Sequence, residues 1–106
     1  METPRRGEVW LARLDKRRPV VVLTRDPMGR FLHSVIVGPV TSTVRGLSTE
    51  VVVGPEQGVP RPSVVNLDNM QLVGRDRLVR RVGALQHATM DEICRALAIA
   101  TGCDRT

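Results

Sequence analysis

Three short polar clusters interrupt apolar stretches of this sequence, and their residue types set the chemistry open to it. Arg17-Arg18-Pro19 leads directly into Val20-Val21-Val22-Leu23, with Arg25 just beyond; Val40-Thr41-Ser42-Thr43-Val44-Arg45 closes another apolar run; Asn66, Asp68, Asn69 and Gln71 punctuate a third. A guanidinium presents a planar fork of donors that suits two oxygens of a phosphate, and it can hold developing negative charge without a metal. A neighbouring hydroxyl donates or accepts one further hydrogen bond. Arg25, Arg45 and Arg61 are candidate phosphate contacts on charge and loop position. Each cluster also has an ordinary reading: Arg18 as a solvated charge, the Thr/Ser run as strand former and turn, and 66–69 as a tight turn.

The commoner catalytic arrangements find little support. His33 and His87 could form an acid–base pair, but one falls in a loop before a strand and the other in a loop before a helix, so they read as unrelated surface histidines. No nucleophile-elbow sequence surrounds a serine, and neither cysteine lies in a polar, histidine-bearing context. Cys94 and Cys103 sit nine residues apart, roughly 13 Å along a helix and too far to bridge. Both are expected to be reduced, as in a cytosolic protein, with Cys94 a core thiol and Cys103 in the tail. No Cys/His spacing suggests zinc and no glycine-rich loop suggests a nucleotide, so no metal and no cofactor are expected.

Composition narrows the class of partner. The chain has 106 residues, one domain's worth, and the expected domain is 1–106. It carries 15 Arg and one Lys against six Asp and five Glu, a net charge of +5, which favours a polyanion or an acidic protein. Eight basic and four acidic side chains fall within residues 1–31, and Arg75, Arg77, Arg80 and Arg81 form a second basic cluster. Trp10 and Phe31 are the only aromatics, which argues against stacking bases on an aromatic platform. The longest apolar runs fall far short of the roughly 20 residues of a membrane helix, and no secretory apolar segment follows Met1.

The elements that must position these clusters are mostly strands. Valine is the commonest residue at 17 copies, arranged in short blocks separated by turn formers such as Pro27-Met28-Gly29 and Pro60-Arg61-Pro62. Strands are expected at 8–14, 19–24, 34–41, 49–53, 63–67, 70–73 and 79–84, with a short helical turn at 75–78. Several lack clean alternation and read as covered on both faces, as in a small bent barrel or two packed half-sheets. Connections are too short for helical crossovers, so the sheet should be mostly antiparallel. One helix closes the chain: Thr89-Met90-Asp91-Glu92 fits a capping box with Thr89 as N-cap, and Gly102 fits the stop. Met90, Ile93, Cys94, Leu97 and Ala100 form its expected apolar stripe.

The order of the clusters resembles the MazF/PemK (Kid) family of toxin endoribonucleases over about residues 5–101. Arg6-Gly7-Glu8-Val9-Trp10 is similar to the family's opening R-G-[DE]-[VI]-[WY], and Arg18-Pro19-Val20-Val21-Val22-Leu23 to its R-P-led strand. Val40-Thr41-Ser42 is similar to its P-[IV]-T-[ST] block, and Ser63-Val64-Val65-Asn66-Leu67-Asp68-Asn69-Met70 to its S-x-[VI]-x-x-[DE]-[QN]-[IM] segment. The resemblance implies a mainly β fold with a C-terminal helix, an SH3-like β-barrel of the MazF/CcdB type. It also implies a cytoplasmic homodimer, metal-independent cleavage of single-stranded RNA (messenger, or structured RNA such as transfer RNA), and a cognate MazE-like antitoxin with an acidic segment. By position, Arg18 and Thr41 fall on the family's catalytic Arg and Thr, and Asp68 and Asn69 on substrate contacts. Arg17, Arg25, Ser42, Thr43, Arg45 and Gln71 complete the expected substrate-binding set.

One departure stands out: only Asp15-Lys16-Arg17 joins the first two strands, where many members carry a longer glycine-containing loop. Two other functions compete with the nuclease. A CcdB-like toxin would poison gyrase by binding it, with no need of the Arg-Pro strand or the Thr41 block. A basic barrel could also bind RNA without cutting it.

Overall fold

The computed structural model describes residues 2–104. The valine blocks become strands because β-branched side chains pack well on a pleated surface. They form β1 (Glu8–Arg13), β2 (Arg17–Val22), β3 (Ser34–Thr41), β4 (Glu50–Val53), β5 (Ser63–Asn66), β6 (Gln71–Gly74) and β7 (Leu78–Ala84), followed by α1 (His87–Thr101). Single turns of 3-10 helix lie between them, including Arg75–Arg77 where a helical turn is expected.

Every strand pairing is antiparallel, and the hydrogen-bonded path runs β4-β5-β3-β2-β1-β7, with β6 joining β3. β3 is the shared strand. Its first half, Ser34 to Val37, pairs with β6, and Val40 and Thr41 pair with β5, while β2 lies along its other edge. The sheet curls but does not close into the expected barrel: β4 and β7 end the path as separate edges.

Curling gives the strands two cores, which explains the missing alternation. Val20, Val21 and Val22 are all fully buried, yet Val21 packs with Val9, Leu23, Val65, Leu67 and Ile93, whereas Val20 and Val22 pack with Trp10, Val35, Val37 and Val73. Each fully buried valine or leucine contributes on the order of 1.5–3 kcal/mol from apolar burial. The opening motif is held by Glu8, only 8% exposed, whose carboxylate accepts from the Arg5 backbone N–H, the Trp10 indole and the Arg81 guanidinium.

The helix differs from expectation at its start. It begins at His87 with Gln86 as N-cap and without a side-chain cap, so Thr89 lies inside the first turn and Thr89/Glu92 do not form the capping box. The Leu85 backbone N–H donates to the Gly7 carbonyl, which ties the chain to the residue before the first strand, and the helix starts three residues early. Gly102 ends it as expected, in the left-handed region at φ 74°. Ile93 and Ala96 are its buried residues, with Met90, Leu97 and Ala100 partly covered, while Cys94 is exposed rather than a core thiol. The Cys94 Sγ instead accepts from Arg6 at 3.1 Å.

Among the described residues no helix is long and apolar enough to cross a membrane.

Candidate active site

The polar clusters converge at one end of the shared strand. β2 and β3 pair from Val22 opposite Val37 to Val20 opposite Pro39, and Arg18 and Thr41 lie two residues beyond that last pair on their strands. Arg18 is held in β2 by its pairing with Ala12 of β1, and Thr41 in β3 by its pairing with Val64 of β5. Its Oγ1 accepts from the Thr43 backbone N–H at 3.1 Å, which leaves its own hydrogen free to donate outward.

Two grooves meet at this pair. One, of about 870 Å³, is lined by Asp15, Arg18, Thr41, Thr43, Arg45, Asn66, Asp68, Asn69 and Gln71 over an apolar floor of Leu14, Pro39, Val40 and Met70. The other, of about 640 Å³, adjoins it and is lined by Lys16, Arg17, Ser42, Arg61 and Arg80 with Pro19, Val40, Val59 and Val82. Arg18 and Thr41 line both. Of the ten residues singled out from sequence, nine line one groove or the other, and Arg61 joins them. Arg25 does not: it lies beyond Val22, past the opposite end of β2 from Arg18.

Arg18 is engaged by a neighbour. The three-residue turn between β1 and β2 folds Asp15 back so that its carboxylate accepts from Arg18 Nε at 3.2 Å and Nη2 at 3.5 Å. The Arg18 guanidinium, with help from the Lys16 backbone N–H, holds the Asp15 carboxyl below the usual carboxylate range. A phosphate approaching that face of the guanidinium meets a site already filled by a carboxylate.

Asp68 is also positioned. Its Oδ2 accepts from the Thr49 hydroxyl at 2.6 Å, and its backbone N–H donates to Asn66 Oδ1 at 3.0 Å. Thr49 is only 7% exposed, so the hydroxyl is a buried donor committed to this carboxylate, and Asp68 itself lines the larger groove. Glu50 orders the other wall by accepting from the backbone N–H groups of Arg45, Gly46 and Leu47. Sequence reasoning missed Asp15, Thr49 and Arg80. The spacing of three between Asp15 and Arg18 was a readable signal for the first; the other two come from strands and loops that meet only in the fold. Among the described residues no three His, Cys, Asp or Glu side chains cluster as metal ligands.

Comparisons with known proteins agree with this geometry. Residues 5–101 match the profile of the PemK-like, MazF-like toxins of type II toxin–antitoxin systems. The chain belongs to that family. It is 46% identical over 105 residues to a probable endoribonuclease, MazF5, of Mycobacterium tuberculosis, with 96% of each chain covered. The solved toxin MazF-mt6 of M. tuberculosis superposes with a TM-score of 0.87 at 40% identity, covering 90% of this chain and 96% of its own. A mycobacterial endoribonuclease solved in complex with its cognate antitoxin superposes at 0.85, with 32% identity and 93% and 95% covered. Family, fold and groove place the chain in the endoribonuclease class of toxin, and relatives bearing that name do not favour the gyrase-binding alternative.

Proposed function

We propose that this chain is a toxin endoribonuclease that cuts single-stranded RNA without a metal ion, by attack of a 2′-hydroxyl on the adjacent phosphodiester. The observation that carries the reading is that Arg18 and Thr41 both line the two grooves where these meet. In the reaction the 2′-oxygen forms a bond to phosphorus and the bond to the 5′-oxygen breaks. The 2′-proton is lost, the departing oxygen gains one, and the products carry a cyclic phosphate and a 5′-hydroxyl. The pentacoordinate intermediate bears extra negative charge on its equatorial oxygens, which the Arg18 fork stabilises. Thr41 donates to the same phosphate and fixes its orientation. Arg45, Asp68, Asn69 and Gln71 bind the RNA along the larger groove, with Ser42 and Thr43 at its junction and Arg17 on the other side.

The same reading makes the chain, over 1–106, a single-domain cytoplasmic homodimer held in check by an antitoxin whose acidic segment competes for the basic grooves. Ile36 and Leu72, paired across β3 and β6 and 44% and 69% exposed, provide an apolar face for the second copy.

The test is incubation with long single-stranded RNA in excess EDTA beside Arg18→Ala and Thr41→Ala, each checked for folding by thermal melting. Discrete cuts with 5′-hydroxyl ends are expected, falling about 10²- to 10³-fold in each variant. Intact RNA with the wild type, transfer RNA included, would falsify the nuclease reading.

A further inference from the structure

The smaller groove has a different character from the larger. Its lining includes five basic side chains, Lys16, Arg17, Arg18, Arg61 and Arg80, and no carboxylate. The larger one mixes Asp15 and Asp68 with Arg18 and Arg45. Among the described residues the carboxylates within ion-pair distance of any arginine serve Arg18 and Arg81, so Lys16, Arg17, Arg61 and Arg80 keep their full charge for a ligand. Uncompensated like charges gathered in one concave surface repel one another, and an anion relieves that cost.

The fold goes to some length to assemble this surface. Arg80 stands on β7 opposite Leu11 of β1, and β1 in turn lies beside β2, so the groove crosses β2, β1 and β7 from the Thr41 end of β3. Three strand spacings amount to about 14 Å, the span of a few nucleotides. Arg61 arrives from the 58–61 loop on the far wall. That loop reaches β7 only because both contact points are glycine: a Cβ on Gly58 would stand 2.1 Å from the Val82 carbonyl oxygen, and one on Gly83 2.0 Å from that of Gln57. Gly58 also requires a φ of 87°.

We infer that the smaller groove is a second RNA-binding segment, which tracks the sugar–phosphate backbone on one side of the cut by charge, while the larger groove holds the nucleotides on the other side. The inference rests on the nuclease reading above, which puts the scissile phosphate at Arg18 and Thr41. A strand held there and longer than the larger groove must continue across the junction, and the purely cationic channel is what it meets. A groove without carboxylate or amide readers binds phosphate without regard to sequence. Site preference then belongs to the larger groove and length-dependent affinity to the smaller.

The test uses the full chain, an Arg61→Ala/Arg80→Ala double variant that melts like the wild type, and RNAs made uncleavable by a 2′-deoxy nucleotide at the cut. Binding is measured against salt for a short core and for cores extended by several nucleotides on the 5′ or the 3′ side. Extension on one side only is expected to tighten wild-type binding and steepen its salt dependence. The double variant should lose that gain, its log–log salt slope shallower by about 1.4 for two lost phosphate contacts to single-stranded RNA. If wild type cleaves cleavable core RNA but the variant's slope for the extended RNAs is unchanged, this inference fails and the nuclease reading stands. If the variant loses affinity for an acidic peptide and none for extended RNA, the groove is a protein-docking surface and the inference is overturned in that direction. A wild type that cuts no RNA overturns both.

Discussion

Replacing Asp15 by asparagine should make this protein bind RNA more tightly. In the free chain the Asp15 carboxylate occupies the Nε/Nη2 side of the Arg18 guanidinium at 3.2 and 3.5 Å, so a substrate phosphate must displace it or accept a poorer approach. Asp15 is 72% exposed, and exposed pairs favour the closed arrangement by a factor of only about two to five. Apparent affinity falls with the fraction of molecules in the competent state, so removing the competitor should tighten binding about three- to sixfold, more at low salt. The pH dependence has a fixed sign. Pairing depresses the Asp15 carboxyl, so the contact is intact above the ordinary carboxylate range and is lost as pH falls through the depressed value. Wild type and variant should therefore differ by a constant factor across neutral pH and converge in acid. Fluorescence anisotropy with RNA carrying a 2′-deoxy nucleotide at the cut measures this without turnover. Equal or weaker binding by Asp15→Asn at neutral pH would refute the competition. Slower cleavage at unchanged affinity would give Asp15 a part in the chemistry instead.

Two further outcomes are expected. Thr49→Val keeps the shape but removes the donor to Asp68; one hydrogen bond is worth about 1 kcal/mol, so Tm should fall by about 4–8 °C. Sequencing of product ends should show cleavage spreading to additional RNA sequences, and an unchanged site preference would leave Thr49 a purely structural residue. Leu72→Glu places a charge on the exposed apolar pair with Ile36, and sedimentation should then report a monomer where the proposed homodimer is expected of the wild type; a persistent dimer would move the interface elsewhere.

The strands were legible because their signal is local. Blocks of valine bounded by proline and glycine specify extended backbone whatever surrounds them, and all seven expected strands are present within a residue or two of their predicted ends. The helix start was not legible, because Thr89-Met90-Asp91-Glu92 is a good cap in isolation and is overruled by a distant bond, Leu85 to Gly7. Cys94 was misread for a related reason: it fits the stripe by spacing, but Ile93 and Ala96 face the core and turn it outward. Most groove residues could be named from the sequence because they close or open strands that pair with one another. Arg25 was named on charge and loop position, yet it follows the far end of β2 from Arg18 and lines neither groove. Whether a sheet this curled closes depends on the last pairings at β4 and β7, for which the sequence carries no mark.

Thr41 ends β3, the strand that pairs with β2, β5 and β6, and loops beyond strand ends border both grooves. Pairing of Arg18 with Ala12 and of Thr41 with Val64 holds both residues in the sheet independently of what those loops contain. Insertions, deletions and substitutions in the loops can therefore accumulate over evolutionary time without disturbing the pair proposed to react. On the proposed function, a lineage built on this plan is free to change which RNAs it selects while the step that severs them stays constant, and the short 14–16 turn of this chain is a segment where such change can fall.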